Sequence, residues 1–140
     1  MTEENKTAEI VKGTLNWTGG FSFDAVSGKG HKFAFDGRGG LTPSDALILS
    51  LAGCMSIDVV SILEKKRVKL EKYTAEIEGE KTTTFPKHYK SATLTITAKG
   101  DGLDENKLGQ AVELSREKYC SVLFSLRQDL EFTVKTIVED

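Results

Sequence analysis

The chain has 140 residues, of which 39% are hydrophobic and 29% charged, and its net charge is -2. A chain of this length can bury about two-thirds of its unfolded surface in one core, so we expect a single domain over residues 1–140 and exclude two independent catalytic domains. The composition also excludes disorder and fibrous repeats. The slightly acidic charge excludes the basic surface that nucleic acid binding requires.

The N-terminal segment MTEENKTAEI is charged and has no apolar stretch. A secretory signal requires such a stretch, so we predict a cytoplasmic protein.

Short strands separated by glycine turns are predicted for the first forty residues. Apolar side chains recur at about every second position in residues 9–17, 21–23 and 32–36, which is the period of a half-buried strand. Glycine-containing turns at 19–20 and 27–30 permit tight reversals. We therefore predict a three-stranded meander.

A helix is predicted to begin at Pro43. Thr42 supplies a capping hydroxyl, proline suits the first helical position, and Asp45 can serve as the acid of a capping box. The run from Ala46 to Leu63 is apolar on almost every side, with Asp58 as its one charge. Such a run can span a bilayer, but Asp58 and three serines lower its hydrophobicity. We therefore predict a core helix and no membrane partner.

The remaining elements follow from pattern and size. One sheet and one more helix from a chain this short cannot surround a long apolar helix, so we predict a homodimer. Threonine-rich alternation predicts a β-hairpin with strands at 73–84 and 91–99. Asp104 can cap an amphipathic helix that reaches Leu126, and a last strand is predicted at 131–138.

The chemistry depends on two cysteines, Cys54 and Cys120. A zinc site of nitrogen and sulfur ligands would need His31 and His88 to converge on them, but both histidines lie in predicted turns, so we expect no zinc site. A structural disulfide is disfavoured in a reducing compartment. Two alternatives stay open at this point: buried inert thiols, or a redox pair.

Helix geometry gives the two thiols different surroundings. Arg116 precedes Cys120 by four residues, and in an unbroken helix this cation would lower the pKa of the Cys120 thiol. Asp58 follows Cys54 by four residues and would raise the pKa of the Cys54 thiol unless a cation neutralises it.

Two further charged residues lie close to the start of the predicted long helix. Asp45 precedes Cys54 by nine residues, which places it about 13 Å away along the helix and on the opposite face, so the two could meet only across a dimer. Arg38 lies in the GRGG segment, where it either folds over an interfacial pocket or extends into water. This loop lacks the strand–GxxxxGK–helix context of a phosphate loop.

The order of these elements resembles the OsmC/Ohr family, the osmotically inducible protein C and organic hydroperoxide resistance proteins. The specific parts are Pro43, followed eleven residues later by Cys54 within AGC, and the KYCSV segment at 118–122. The resemblance covers about residues 9–138 and is stronger to the OsmC-like branch than to the Ohr enzymes. It implies an α+β fold and an intertwined homodimer, in which two antiparallel sheets wrap long central helices and active sites form at the subunit boundary.

The resemblance also implies thiol peroxidase chemistry on organic hydroperoxides or hydrogen peroxide. Cys54 would attack the peroxide, Cys120 would resolve the resulting sulfenic acid as a disulfide, and a small dithiol or lipoyl-type reductant would restore the thiols. It implies no metal and no bound cofactor.

Two positions depart from the family pattern. Ser44 stands where the family has a glutamate after the proline, and an acid follows only at Asp45. No arginine occurs before Arg38, although the family places one in its N-terminal strands to hold the thiolate. We therefore include Asp45 and Arg38 with the two cysteines in the candidate catalytic set, and Lys29 and Lys32 are the other candidate cations.

The same departures favour an alternative function. A non-catalytic dimeric protein could use the apolar interfacial pocket for a small hydrophobic ligand, or use its cysteines as a slow redox sensor. A third possibility is a structural stress protein that only assembles.

Overall fold

The computed structural model describes residues 8–140, which divide into two units, one ending at Ala46 and the other spanning Leu47–Asp140. The single domain expected over residues 1–140 stays a prediction. The elements in chain order are β1 (Gly13–Gly19), β2 (Ser22–Ser27), β3 (Lys32–Asp36), α1 (Pro43–Lys65), β4 (Lys69–Lys81), β5 (Tyr89–Asp101), α2 (Glu105–Leu114), a π-helical turn (Ser115–Tyr119), α3 (Ser121–Ser125) and β6 (Glu131–Val138). The predicted α+β class is confirmed.

The first unit contains the predicted meander, with antiparallel strands in the order β1-β2-β3. The predicted start of the first strand at residue 9 was wrong. Gly13 pairs with Ser27, where β2 ends, so residues 9–12 lie outside β1. The second strand was predicted at 21–23, but β2 extends to Ser27. The additional residues are held in the sheet by pairing with β1 on one side and β3 on the other.

The second unit contains a three-stranded sheet with β5 at its centre. β4 and β5 form the predicted antiparallel hairpin, although β4 begins four residues and ends three residues earlier than predicted, and β5 is two residues longer at each end. β6 lies at the predicted position but pairs in parallel with β5, so this sheet is mixed and not antiparallel as the family resemblance led us to expect. The helices between β5 and β6 make the crossover that a parallel pair requires. Side chains of β5 alternate between fully and partly buried, as expected for a central strand.

Helix α1 begins at Pro43 as predicted, and the backbone N–H of Asp45 donates to the Thr42 hydroxyl at 3.1 Å. One stripe of the helix is buried in the second unit, and it consists of Leu51, Ala52, Met55, Val59 and Leu63. This stripe belongs to the same hydrophobic cluster as Ala92, Leu94, Ile96 and Ala98 of β5 and Leu108, Ala111 and Val112 of α2. The predicted core role of α1 is therefore confirmed for one face.

By length and composition alone, α1 is apolar enough to cross a membrane. Only 28% of the most apolar 18-residue stretch of this helix is buried within one chain, which leaves much of the helix uncovered. A core helix passes the same test of length and composition, and the buried stripe packs against β5 and α2, so we interpret α1 as a core helix.

The second predicted helix is interrupted, which corrects the expectation of one helix from Asp104 to Leu126. Asp104 caps α2 as predicted, because its carboxylate accepts the backbone N–H of Lys107 at 2.8 Å. After Leu114 the chain forms the π-helical turn, and Cys120 then adopts an extended conformation (φ -76°, ψ 94°) before α3.

The core of the second unit predicts a large effect of shortening one buried side chain. Ile96 is completely buried on β5, whereas Ile10 is 78% exposed outside any strand. We expect Ile96→Ala to lower the free energy of unfolding by about 2–5 kcal/mol, because it leaves a cavity. The matched variant Ile10→Ala should change it by less than about 0.5 kcal/mol. Urea unfolding measures both, and equal effects of the two variants would contradict this packing.

Candidate functional site

Two cysteines and one aspartate form a cluster in the second unit. The Sγ atoms of Cys54 and Cys120 and a carboxylate oxygen of Asp58 all lie within 4.8 Å of one another. Both cysteines are free thiols. The chain therefore brings together two sulfurs that are remote in sequence, as a redox pair requires.

Helix α1 supplies two members of the cluster from one face. Cys54 and Asp58 are four residues apart, so their side chains lie one above the other. Cys54 is partly buried, and its Sγ lies 3.9 Å from the Ser121 hydroxyl oxygen at the start of α3. This thiol thus lies at the edge of the core, with a polar neighbour.

The break in the second helix positions the other sulfur. In the π-helical turn the backbone N–H of Cys120 donates to the carbonyl oxygen of Ser115 at 2.9 Å, five residues earlier. The added residue in the turn rotates the chain relative to a regular helix, as π-bulges do. Cys120 is fully buried at this point, and its thiol faces Cys54.

Burial raises the pKa of the Cys120 thiol to about 11. The hydrogen bond and the charge of Cys54, together with the carboxylate of Asp58, add to this increase, while a backbone hydrogen bond from Leu123 opposes it. Cys120 is therefore a neutral thiol at physiological pH, and the lowered pKa expected for it was wrong.

Arg116 does not act on Cys120 as the sequence led us to expect. Its Nη2 donates to the carbonyl oxygen of Phe132, and its guanidinium carbon lies 5.3 Å from the centroid of the Phe132 ring. The expectation required a regular helix from Arg116 to Cys120, in which residues four apart lie on the same face. The chain forms a π-helical turn here instead, so this rule does not apply.

Ser115 holds the aspartate of the cluster in place. This serine is fully buried, and its hydroxyl donates to Asp58 Oδ2 at 2.7 Å. The sequence reasoning missed both Ser115 and Ser121. Ser115 carried a signal, because it continues the buried face of α2 at three and four residues after Val112 and Ala111, where a polar residue needs a partner.

The other two predicted catalytic residues belong to the first unit. Asp45 is exposed in the first turn of α1. Arg38 is exposed, with its guanidinium carbon 4.1 Å from the centroid of the Phe21 ring. Its backbone N–H donates to Asp36 and, with Gly39, lowers the pKa of that carboxyl. The roles assigned to Asp45 and Arg38 stay predictions.

The histidines take no part in the cluster. His31 is exposed in the turn between β2 and β3. His88 is partly buried before β5, and its Nδ1 donates to the carbonyl oxygen of Pro86 at 2.9 Å. Lys29 and Lys32, the alternative cations, are exposed residues of the first unit.

Comparison with known proteins gives consistent matches over most of the chain. A family model described as OsmC-like protein matches residues 35–135. Protein YhfA of Escherichia coli K12 is 30% identical over 126 residues, covering 88% of this chain and 94% of YhfA.

Solved structures match over a similar length. A protein of Aquifex aeolicus VF5 is 28% identical with a TM-score of 0.83, covering 95% of this chain and 100% of that one. The organic hydroperoxide resistance protein OhrB of Bacillus subtilis is 17% identical with a TM-score of 0.61, covering 91% and 98%. At that identity the match to OhrB shows a shared fold alone.

The buried Cys120 thiol predicts a specific loss of stability at high pH. The folded state holds this proton more tightly than the unfolded chain, whose thiol titrates near 9.0. The resulting stabilisation is fully present below pH 9 and is lost as the pH rises toward 11. Between pH 8 and pH 11, the reduced wild type should lose about 2 kcal/mol more unfolding free energy than Cys120→Ala.

Urea unfolding with reductant and chelator present measures this difference. The same pH dependence in both proteins would show that Cys120 titrates normally in the folded state.

Proposed function

Because the chain belongs to the OsmC-like protein family, we propose that it is a thiol-dependent peroxidase that reduces organic hydroperoxides or hydrogen peroxide. The family resemblance stated from the sequence is thereby confirmed, and the activity is the proposal. The observation that carries it is the approach of the Cys54 and Cys120 sulfurs to within 4.8 Å in the reduced protein.

The different exposure of the two sulfurs supports different roles for them. Cys54 is partly exposed, so a hydroperoxide can reach it, whereas Cys120 is fully buried and protonated at neutral pH. A thiolate is the attacking form of cysteine. We therefore assign Cys54 as the peroxidatic residue and Cys120 as the resolving residue.

The proposed reaction has three balanced steps. The Cys54 thiolate attacks the terminal peroxide oxygen, the O–O bond breaks, and an alkoxide leaves and is protonated to the alcohol. Cys120 then attacks the Cys54 sulfenic acid, forming a disulfide and releasing water. A small dithiol or lipoyl-type reductant reduces that disulfide by thiol–disulfide exchange and leaves as its own disulfide.

Disulfide formation requires only a local movement. A disulfide has an S–S length of about 2.05 Å, so the sulfurs must approach by less than about 3 Å. Each cysteine has one side-chain torsion that moves its sulfur, and Cys120 lies in non-helical backbone, where that torsion is less restricted than inside a helix.

We propose that a cation assists attack by Cys54, because a nearby positive charge stabilises the thiolate that attacks the peroxide. Arg38 is the proposed source, with Lys29 and Lys32 as alternatives, and Asp45 is the proposed replacement for the family glutamate. An arginine can bind in a bidentate manner, whereas a lysine acts as a point charge, so these substitutes predict a lower rate if a lysine fills the role.

The catalytic proposal predicts which sulfur reacts first. Cys54→Ser should reduce dithiothreitol- or dihydrolipoamide-dependent consumption of cumene hydroperoxide at least about 100-fold, because the nucleophile is lost. Cys120→Ser should keep one fast turnover and accumulate a sulfenic acid that dimedone traps at residue 54.

Arg38→Gln should slow the reaction of Cys54 with peroxide, and Arg38→Lys should restore part of the rate.

Wild-type consumption no faster than that of Cys54→Ser would contradict the peroxidase assignment. A fast single turnover of Cys54→Ser with peroxide, with dimedone trapped at Cys120, would reverse the two roles.

The second candidate function is a non-catalytic dimeric protein that binds a small hydrophobic ligand or senses redox state. Asp58 favours it, because its carboxylate adds to the raised pKa of the Cys120 thiol, and the Arg116 cation is engaged with Phe132. Peroxide consumption equal to that of Cys54→Ser, together with slow oxidation of both thiols, would select this function.

We also propose that the protein acts as a homodimer through the uncovered face of α1. Leu49, Ile57 and Val60 are 55%, 72% and 37% exposed, and they share a face with Gly53. A Cβ on Gly53 would meet nothing within 4 Å, so another surface can approach closely there. A second copy of α1 offers the same apolar face, as an isologous interface requires.

Ile57→Asp tests the dimer. It should shift the protein toward monomer in sedimentation equilibrium, because it buries a charge at the proposed interface. Phe85→Asp, at a residue that is 86% exposed in the loop between β4 and β5, should leave the oligomeric state unchanged. A monomeric wild type, or equal effects of the two variants, would contradict the proposed interface.

A cytoplasmic location, where dithiol reductants are available, stays part of the proposal.

A further inference from the structure

The cluster of Cys54, Asp58 and Cys120 has the composition of a metal site as well as that of a redox site. Two thiols and one carboxylate each offer one ligand atom, and these three atoms lie within 4.8 Å of one another. Thiolate sulfur and carboxylate oxygen are both zinc ligands in proteins, and three protein ligands with a water or substrate in the fourth position are typical of an open zinc site.

The charges in this cluster favour a cation. All three side chains are acids, and their ligand atoms lie within 4.8 Å of one another. Arg116, the nearby cation in sequence, is directed to the carbonyl and ring of Phe132. A divalent ion at the centre would convert the mutual repulsion of three anions into attraction, and it deprotonates coordinating thiols.

We propose that the reduced protein binds one Zn²⁺ ion per chain through Cys54 Sγ, Cys120 Sγ and a carboxylate oxygen of Asp58. The ligand set favours zinc over Mg²⁺ and Ca²⁺, because two of its three atoms are soft sulfurs. The sequence led us to expect no zinc site, because that reasoning counted histidines and cysteines and left Asp58 out of the ligand set.

The geometry needs only a small contraction. In a tetrahedral site with Zn–S distances of about 2.3 Å, neighbouring ligand atoms lie about 3.7 Å apart. The observed separations of up to 4.8 Å thus close by about 1 Å, which side-chain torsions of the two cysteines can supply. Cys54 and Asp58 are each partly exposed, so an ion can enter from that side.

Ser115 supports the site from outside the ligand set. Its hydroxyl donates to Asp58 Oδ2 at 2.7 Å and orients the carboxylate. Hydrogen bonds of this kind fix the ligands of metal sites and contribute about 10- to 100-fold to metal affinity. The Ser121 hydroxyl, 3.9 Å from Cys54 Sγ, is a second polar group beside the open position.

Zinc binding and disulfide formation exclude each other at this site. Binding displaces one proton from each thiol, giving Zn²⁺ with two thiolates and two released protons. A Cys54–Cys120 disulfide uses both sulfurs and leaves only Asp58, so oxidised protein cannot hold the ion in this way. Metal binding by the reduced protein does not depend on the proposed peroxidase activity, so either one can fail while the other holds.

The test uses Co²⁺ as a spectroscopic probe and Zn²⁺ as its competitor, with the reduced full-length protein and no peroxide present. We expect one Co²⁺ per chain, a sulfur-to-cobalt charge-transfer band, and displacement of Co²⁺ by Zn²⁺. Cys54→Ser and Cys120→Ser should each weaken the band and the affinity. Asp58→Asn, which keeps an oxygen to accept from Ser115, should lower Zn²⁺ affinity about tenfold or more.

The matched control is Asp24→Asn, the same change at an exposed residue of β2, and it should bind as the wild type does. Circular dichroism confirms that each variant is folded before titration. The proposal is overturned if folded, reduced wild type gives no charge-transfer band with Co²⁺, or if Asp58→Asn binds Zn²⁺ as tightly as Asp24→Asn. It is also overturned if the disulfide form binds Zn²⁺ as tightly as the reduced form.

Discussion

The interruption of the second helix at Cys120 is the constraint on which the site depends. A regular helix through this region would place Arg116 and Cys120, which are four residues apart, on the same face. Instead, the π-helical turn ends in extended backbone at Cys120, and the Cys120 thiol meets Cys54 and Asp58 of α1. The hydrogen bond from Ser115 to Asp58 ties the turn to the same helix, so one contact fixes the carboxylate and supports the break.

That arrangement gives the two sulfurs unequal surroundings, and the inequality is what a two-cysteine mechanism needs. Desolvation holds Cys120 as a thiol, while Cys54 lies where the core meets solvent. A neutral buried thiol is a poor first nucleophile but is well placed to attack a sulfenic acid formed next to it. The carboxylate of Asp58 adds to the raised pKa of Cys120, and together with the two sulfurs it forms a ligand set that suits a soft divalent cation.

Most of the fold was predictable from local signals. Alternation indicated the strands, Thr42 and Pro43 marked the start of α1, and Asp104 marked the start of α2. Strand ends were less predictable, because they depend on where the partner strand ends, as Gly13 opposite Ser27 shows. The length and apolarity of α1 were visible in the sequence, but which of its faces the chain itself covers was not.

The site was predictable only in part, and for a physical reason. Family resemblance identified Cys54 and Cys120, but the charge around Cys120 was inferred from a helical spacing that the chain does not keep. A π-helical turn inserts one residue without a distinctive composition, so the SREKY segment gave no sign of it. Asp58 was noticed as a neighbour of Cys54, yet its approach to Cys120 arises from tertiary packing between α1 and the turn.

The central claim is that the folded chain holds the sulfurs of Cys54 and Cys120 within bonding reach of each other. Equilibration of the native protein in glutathione redox buffers, followed by acid quenching and intact mass analysis, tests it most directly. The account predicts a single two-electron transition from dithiol to intramolecular disulfide, with little glutathione bound at any ratio. Accumulation of a stable glutathione adduct on Cys54 with Cys120 still reduced would contradict it.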